Sequence, residues 1–282
     1  MTTTATTPAT GSGVPGTAGP GRFLNSSIFG KTLHDNRHVL TVWALATGLL
    51  AMMYGGFYPQ ISADSMASVP EAMRGFGFDD APSAAGYLQG AVFGLLVPLM
   101  ATFYGAATGA RMISADEESG YLDLLLAHPV GRTRLLLHRF AALTTGAIAI
   151  AAVVWAAMLA IRDTAELGTV SVGGFTAQAI NLALLATLFG ALATGLGAAT
   201  GKSRATVFGT AAGLGVATYA LHGFAPQIGA DWLRHLTPYH YYIGGEPLKH
   251  GLQLGDATIL SAAAAVLIAA GSLRLNRRDL AR

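Results

Sequence analysis

Long apolar runs recur along this chain, and no other feature limits its fold as much. Six stretches, roughly Val39–Phe57, Leu88–Ala110, Leu135–Ile161, Ala177–Thr200, Val207–Phe224 and Ala257–Leu273, are nearly free of ionisable side chains. About 20 residues of helix cross the hydrocarbon core of a bilayer, roughly 30 Å thick. Each stretch therefore predicts a transmembrane helix, since a spanning segment must satisfy its own backbone hydrogen bonds. The third is long enough to tilt or to begin outside the bilayer. The fifth is short and rich in Gly. Composition agrees: 52% of the residues are hydrophobic and 11% charged, against roughly 25% charged in soluble domains. The expected fold is an all-α membrane protein of six transmembrane helices.

Lys and Arg set the expected orientation. With six spans, 13 of the 17 fall on one side of the membrane and only Arg74, Arg162, Arg234 and Lys249 on the other. Basic residues concentrate in cytoplasmic loops, so both termini are expected inside. Residues 1–22, dominated by Thr, Ala, Gly and Pro, predict a disordered tail before a single transmembrane domain over 23–282. The tail lacks the basic and apolar regions of a signal peptide. Residues Ser26–His38, with Ile28, Phe29 and Leu33 able to share a face, predict an amphipathic interfacial helix ahead of the first span. Segment 225–256 carries Pro226, Pro238, Pro247, Trp232, Tyr239, Tyr241 and Tyr242. It reads either as short interfacial or re-entrant helices or as an ordinary outer loop with an aromatic anchor.

Several functions are disfavoured by what is missing. A net charge of +2, with the basic residues spread along loops, does not suggest nucleic acid, and the absence of Cys removes disulfides, thiolate metal sites and Cys nucleophiles. Beyond the start of the third run, where His138 and Arg139 fall on the cytoplasmic side, the amide and imidazole exceptions within the six runs are Gln89, Gln178, Asn181 and His222, all near the ends. Ion-coupled transporters usually carry buried Asp, Glu, His or Arg at mid-membrane, so the energy for any transport is expected from outside the membrane. Gly195–Ser203 (GLGAATGKS) imitates a phosphate-binding loop, but Leu196 occupies the position that must be Gly. No nucleotide, metal or other cofactor site is expected in this chain. His235 and His240 stand five apart with no third ligand near in sequence, and a Gly-x-Ser-x-Gly elbow occurs in none of the spans. Gly86, Gly90 and Gly94, Gly105 and Gly109, and Gly209 and Gly213 repeat at four-residue spacing, which brings helices close either within the chain or between copies. Phe93, Phe103, Tyr104, Phe208 and Tyr219 read as lining of an apolar path or as ordinary packing.

The segment Arg111–Phe140 bears most on function. Acidic Asp116, Glu117 and Glu118 precede Gly120, an apolar stretch with Leu122 and Leu125, the helix breaker Pro129, and Arg132. Such an apolar stripe needs a partner or lipid headgroups to cover it. The string EESGYLDLLLAHPVGR over 117–132 resembles the cytoplasmic signature of ABC-2 type transporter permeases, in which Glu, Gly-Thr-Leu-Glu-Leu-Leu-Leu and Pro-Val-Ser-Arg recur. Tyr121 replaces the usual Thr, Asp123 the Glu and Gly131 the Ser. PYHYYIGGEPL over 238–248 and the RRDL of Arg277–Leu280 extend the resemblance over most of the chain after residue 22. The resemblance implies a bacterial cell-membrane permease working as a dimer, most simply of two copies of this chain. Two separate ATPase subunits would hold the ATP and Mg, so this chain would not itself be an enzyme. A coupling helix between the second and third spans would carry their motion to the second and fifth spans, with Asp116, Glu117, Glu118, Gly120, Leu122, Leu125, Pro129 and Arg132 as its matching positions. Apolar lining of the path leads to the expectation of an exporter of apolar or amphiphilic molecules; the rival is a six-span transporter working without an ATPase.

Overall fold

The computed structural model describes residues 20–61, 74–78, 80, 82–118 and 131–277. Among these, every regular element is helical. Six long helices carry the architecture: α1 (Pro20–Gly56), α2 (Ala84–Met112), α3 (Arg132–Ala160), α4 (Val172–Thr200), α5 (Arg204–Phe224) and α6 (Leu254–Arg277). Five segments, Ile28–Gln60 together with α2, α3, α4 and α6, are long and apolar enough to cross a membrane. Helix α5 has 21 residues, about 30 Å at the α-helical rise. Its Gly, Thr, Tyr and His residues dilute its apolar character, so it meets the spanning criterion in length but not in composition.

The ends of the helices follow local chemistry. Pro20 opens α1, where its missing N–H is no loss. Ser171 accepts from the N–H of Gly174 (2.9 Å) to cap α4, and Ser203 accepts from Thr206 (3.3 Å) to cap α5. Gly201 closes α4 in the left-handed region at φ 63°. The phosphate-loop imitation at 195–203 is thus the last turn of one helix, a Gly stop and the first cap of the next.

The interfacial helix expected over Ser26–His38 is not a separate element. Helix α1 runs unbroken from Pro20, and Thr32 and Thr41 bond back to the carbonyls of Ile28 and Arg37. Nothing between Ser26 and Val39 breaks a helix, since Gly30 is the only weak former there and no Pro occurs. The tail expected over 1–22 lies outside the described residues as far as residue 19, and α1 already begins within its last three. In segment 225–256 the short helices do form, at Ala225–Ile228, Asp231–Leu236, Pro238–Ile243 and Pro247–His250. Its aromatics divide: Tyr239 and Tyr242 are fully buried, whereas Trp232 is 65% exposed. Trp232 therefore suits an interfacial anchor, and Tyr239 and Tyr242 do not.

Helices α4 and α2 form the centre, with 72% and 67% of their most apolar windows buried, against 28% for both α1 and α6. Their contact depends on glycine. A Cβ on Gly105 would stand 2.2 Å from the carbonyl oxygen of Ala186, and one on Gly109 would stand 2.5 Å from that of Gly190. This glycine pair packs within the chain. By contrast, a Cβ on Gly209 or Gly213 of α5 meets nothing within 4 Å among the described residues. A small-residue layer of Ala106, Ala110, Ala193, Val207, Ala211 and Ala212 joins α2, α4 and α5. Ile28 of α1 packs against the cluster that gathers Met112 of α2, Leu135 of α3 and Leu275 of α6 at one end of the bundle, called here the terminal end.

A Gly105→Leu variant should force α2 and α4 apart. We expect a loss of about 2 kcal/mol or more, the scale of overpacking a close-packed contact, read as a lower thermal midpoint in detergent. An unchanged midpoint would contradict the observed approach.

Candidate functional site

At the terminal end, α2 passes through Ile113 into a short helix, Ser114–Glu118. Glu118 leaves this helix toward α5. Its Oε1 accepts the backbone N–H of Arg204 at 2.8 Å, and its Oε2 lies 3.8 Å from Arg204 Nε. The first N–H groups of a helix have no partner within it, and its N-terminus favours negative charge. Glu118 therefore completes the cap that Ser203 begins, and it joins the segment after α2 to the first turn of α5. Asp116 and Glu117 belong to the same short helix. Gly120, Leu122, Leu125 and Pro129 lie outside the described residues.

Arg132, the first residue of α3, donates through Nη1 to the Leu275 carbonyl at 3.1 Å in the last turn of α6. That is the favourable end of the helix for a guanidinium. Thr133 and Ser272 share a hydrogen bond of 3.0 Å, and Asn276 donates to Thr133 at 2.8 Å. The start of α3 is thus fastened to the end of α6.

At the far end, the short helices of 225–256 form a cap held by polar side chains from the bundle. Gln89 of α2 donates to the Ile243 carbonyl (3.2 Å), and Asn181 of α4 donates to the Tyr242 carbonyl (3.1 Å). The hydroxyls of Thr102 and Tyr239 lie 2.7 Å apart. Three of the four polar exceptions in the apolar runs thus bind this cap, because His222 of α5 meets Thr237 Oγ1 at 3.2 Å. Thr237 gives its own proton to the Arg234 carbonyl (2.8 Å), so His222 Nδ1 is the donor. Among the described residues, Gln89 Oε1, Asn181 Oδ1 and His222 Nε2 remain buried without a partner.

Helix α2 is distorted where it meets the cap. Its turns widen to a π-helix over Leu88–Leu96. Pro98, just past the widened turns, has no N–H to give to the ladder. Tyr219 of α5 donates to the carbonyl of Gly94 within these turns, at 2.8 Å. Nothing in the sequence pattern alone pointed to this pairing. Helix α5 is therefore tied at both ends: by Glu118 at its start, and by Tyr219 and His222 near its finish.

The five aromatics expected along a path do not converge. Phe93 and Tyr104 are buried, and Tyr104 donates to the Leu143 carbonyl of α3 (3.1 Å). Tyr219 faces Tyr239 of the cap, with ring centroids 5.3 Å apart. Phe103 and Phe208 face one another at 6.4 Å across α2 and α5, and Phe208 is 36% exposed. Elsewhere, between α3 and α4, an apolar cleft of about 460 Å³ runs from Thr144 to Trp155.

A tether anchors the cap from below. Lys249 Nζ lies 2.9 Å from Glu246 and 3.0 Å from Asp80, just before α2. The Ser83 hydroxyl, with help from Lys249, holds the Asp80 carboxyl below its ordinary 3.8. Burial pulls the Lys249 ammonium down, but Glu246 and Asp80 outweigh it and hold it above its ordinary 10.5.

The family described as ABC-2 family transporter protein matches residues 26–280. No curated protein matches this chain.

Two outcomes are expected. Tyr219→Phe removes the hydrogen bond to the Gly94 carbonyl, at a cost of about 1 kcal/mol, read as a lower thermal midpoint and faster hydrogen exchange in α2. The tether gives a pH signature. The Asp80 contribution is complete above its ordinary pKa and is lost as pH falls through the depressed value; the Lys249 contribution is complete below its ordinary pKa and is lost as pH rises through the raised one. Lys249→Met should therefore lower stability at pH 7 by at most about 1 kcal/mol, with the difference shrinking below about pH 4. A difference that grows in acid would contradict the tether.

Proposed function

Because the chain belongs to the ABC-2 family of transporter proteins and is a multi-pass membrane protein, we propose that it is the permease of a bacterial exporter driven by two copies of a separate ABC ATPase subunit. Both termini face the cytoplasm in this reading, and α5 is the sixth membrane-crossing helix. Thirteen of 17 basic residues then lie on the cytoplasmic side, as the positive-inside rule requires. Among the described residues, no Asp, Glu, Lys or Arg is buried. That supports an energy source outside the membrane, and ATP and Mg belong to the partner subunit. The permease contributes no catalytic residue to hydrolysis.

The observation that carries the mechanism is the Glu118 bond to the first turn of α5. Segment 116–132 docks on the ATPase, and closure of the ATPase dimer displaces it. Glu118 passes that displacement to α5, whose far end bonds to the widened turns of α2 and to the cap. The bundle thus holds a continuous physical link from the docking segment to the cap, which acts as the outer gate.

A second copy of this chain completes the permease. Gly209, Gly213, Val216 and Phe224 share a face of α5 and make it open to a neighbour; Gly209 and Gly213 meet nothing within 4 Å among the described residues, and Val216 and Phe224 are 44% and 48% exposed. Small residues at that spacing let helices approach closely in lipid. Phe103 and Phe208, beside this face, would line the path. The apolar cleft between α3 and α4 and the apolar character of this face favour an apolar or amphiphilic cargo.

Co-expression with the ABC ATPase encoded beside it should yield a stable complex that hydrolyses ATP. Replacing Glu117 and Glu118 by Ala should weaken the coupling of ATP turnover to transport roughly tenfold, with membrane insertion intact. Transport by the chain alone on an ion gradient would instead favour the transporter without an ATPase. As the chain has no Cys, Val216→Cys should cross-link to itself across a two-fold axis; a monomer under oxidising conditions would reject the homodimer.

A further inference from the structure

A polar cavity of about 170 Å³ opens at the terminal end between α1, α2 and α3. Thr32, Asp35 and Asn36 line one wall, Arg111 and Met112 the second, and Arg139 the third. Arg139 donates to the Met112 carbonyl, which holds its guanidinium at the cavity. Arg111 and Asp35 carry opposite charges and line the same space. Neither has an ion-pair partner among the described residues. A direct bridge between them would need N···O within about 4 Å, so the two charges are held apart across the cavity.

The neutral residues refine the ligand. Thr32 spends its proton on the Ile28 carbonyl and Asn36 donates to the Thr32 carbonyl (both 2.8 Å). Their oxygens, Thr32 Oγ1 and Asn36 Oδ1, are left as acceptors beside the Asp35 carboxylate, with one N–H of Asn36 also free of that bond. The cavity therefore offers cationic donors on one side and an anion with acceptors on the other. It is smaller than the roughly 300–1,000 Å³ of drug-sized sites, so it suits a small dipolar group. Its position completes the picture. On α1, Asp35, Val42 and Leu49 repeat at seven-residue spacing on one face, and Val42 and Leu49 are 67% and 65% exposed. A group held at Asp35 would have apolar helix surface directly along the membrane-spanning direction.

We propose that this cavity binds the headgroup of an aminophospholipid such as phosphatidylethanolamine. Arg111 and Arg139 take the phosphodiester, Asp35 and Asn36 take the primary ammonium, and the acyl chains lie along Val42 and Leu49. Basic pockets between transmembrane helices are known headgroup sites, and a guanidinium matches phosphate in geometry and charge. The carboxylate with acceptors sets the preference, because a trimethylated amine has no N–H to donate. This site does not depend on which partner drives transport.

Native mass spectrometry of the purified full chain, with phosphatidylethanolamine, phosphatidylcholine and phosphatidylglycerol of equal acyl length, tests it. The wild type should retain phosphatidylethanolamine about tenfold over phosphatidylcholine, the scale of one or two charge-assisted hydrogen bonds. Arg111→Gln should cut that retention about tenfold. Asp35→Asn should abolish the preference for phosphatidylethanolamine over phosphatidylglycerol; being a ratio, this readout is independent of folding yield. Equal retention of the ethanolamine and choline lipids, or an Arg111→Gln variant that retains lipid as well as the wild type, would overturn the site. Free phosphoethanolamine binding as tightly as the lipid would overturn its assignment to a membrane ligand.

Discussion

The described buried positions hold Thr, Ser, Gln, Asn and His as their polar members, and no formal charge. The helices must therefore be fastened by close backbone approach and by neutral hydrogen bonds. The α2–α4 contact at Gly105 and Gly109 is where this constraint is most severe, since a single Cβ would collide with a backbone carbonyl. With lipid on the outside, the hydrophobic effect does not distinguish helix from acyl chain, and dispersion at short range holds the pair. The remaining long helices are arranged around it.

On that pair sits α5. It packs on α2 and α4 through Ala, Val and Gly and leaves Phe208, Leu214, Val216 and Phe224 exposed. Its firm attachments are at its ends. Glu118 accepts the N–H of Arg204 at its start, and Tyr219 donates to the Gly94 carbonyl in the widened turns of α2. An element held at both ends and loosely along its length can move as a lever. Charge-assisted and neutral hydrogen bonds at its ends set which neighbours move with it.

The cap at the far end is built from the same materials. Gln89 and Asn181 present their N–H groups to its backbone while their own carbonyl oxygens stay unpaired among the described residues. Buried unpaired acceptors carry a cost, so the cap is bonded but not fully satisfied. The closely packed α2–α4 centre contrasts with it.

Much of this was legible in the sequence. The apolar runs, the Gly spacing and the resemblance over 117–132 all follow from local pattern, because helix formation and membrane crossing depend on neighbours in the chain. The sequence also flagged Gln89, Asn181 and His222 as exceptions, but not what they meet. Three things needed the tertiary structure. One was that Tyr239 and Tyr242 are core residues, which depends on the cap folding back onto the bundle. The second was which glycine pair packs inside and which stays open. The third was that Glu118 reaches Arg204, 86 positions away, and that Asp35 and Arg111 share a cavity. Local sequence fixes what each residue can bond to; only the packing of distant helices decides which partner stands within 3 Å.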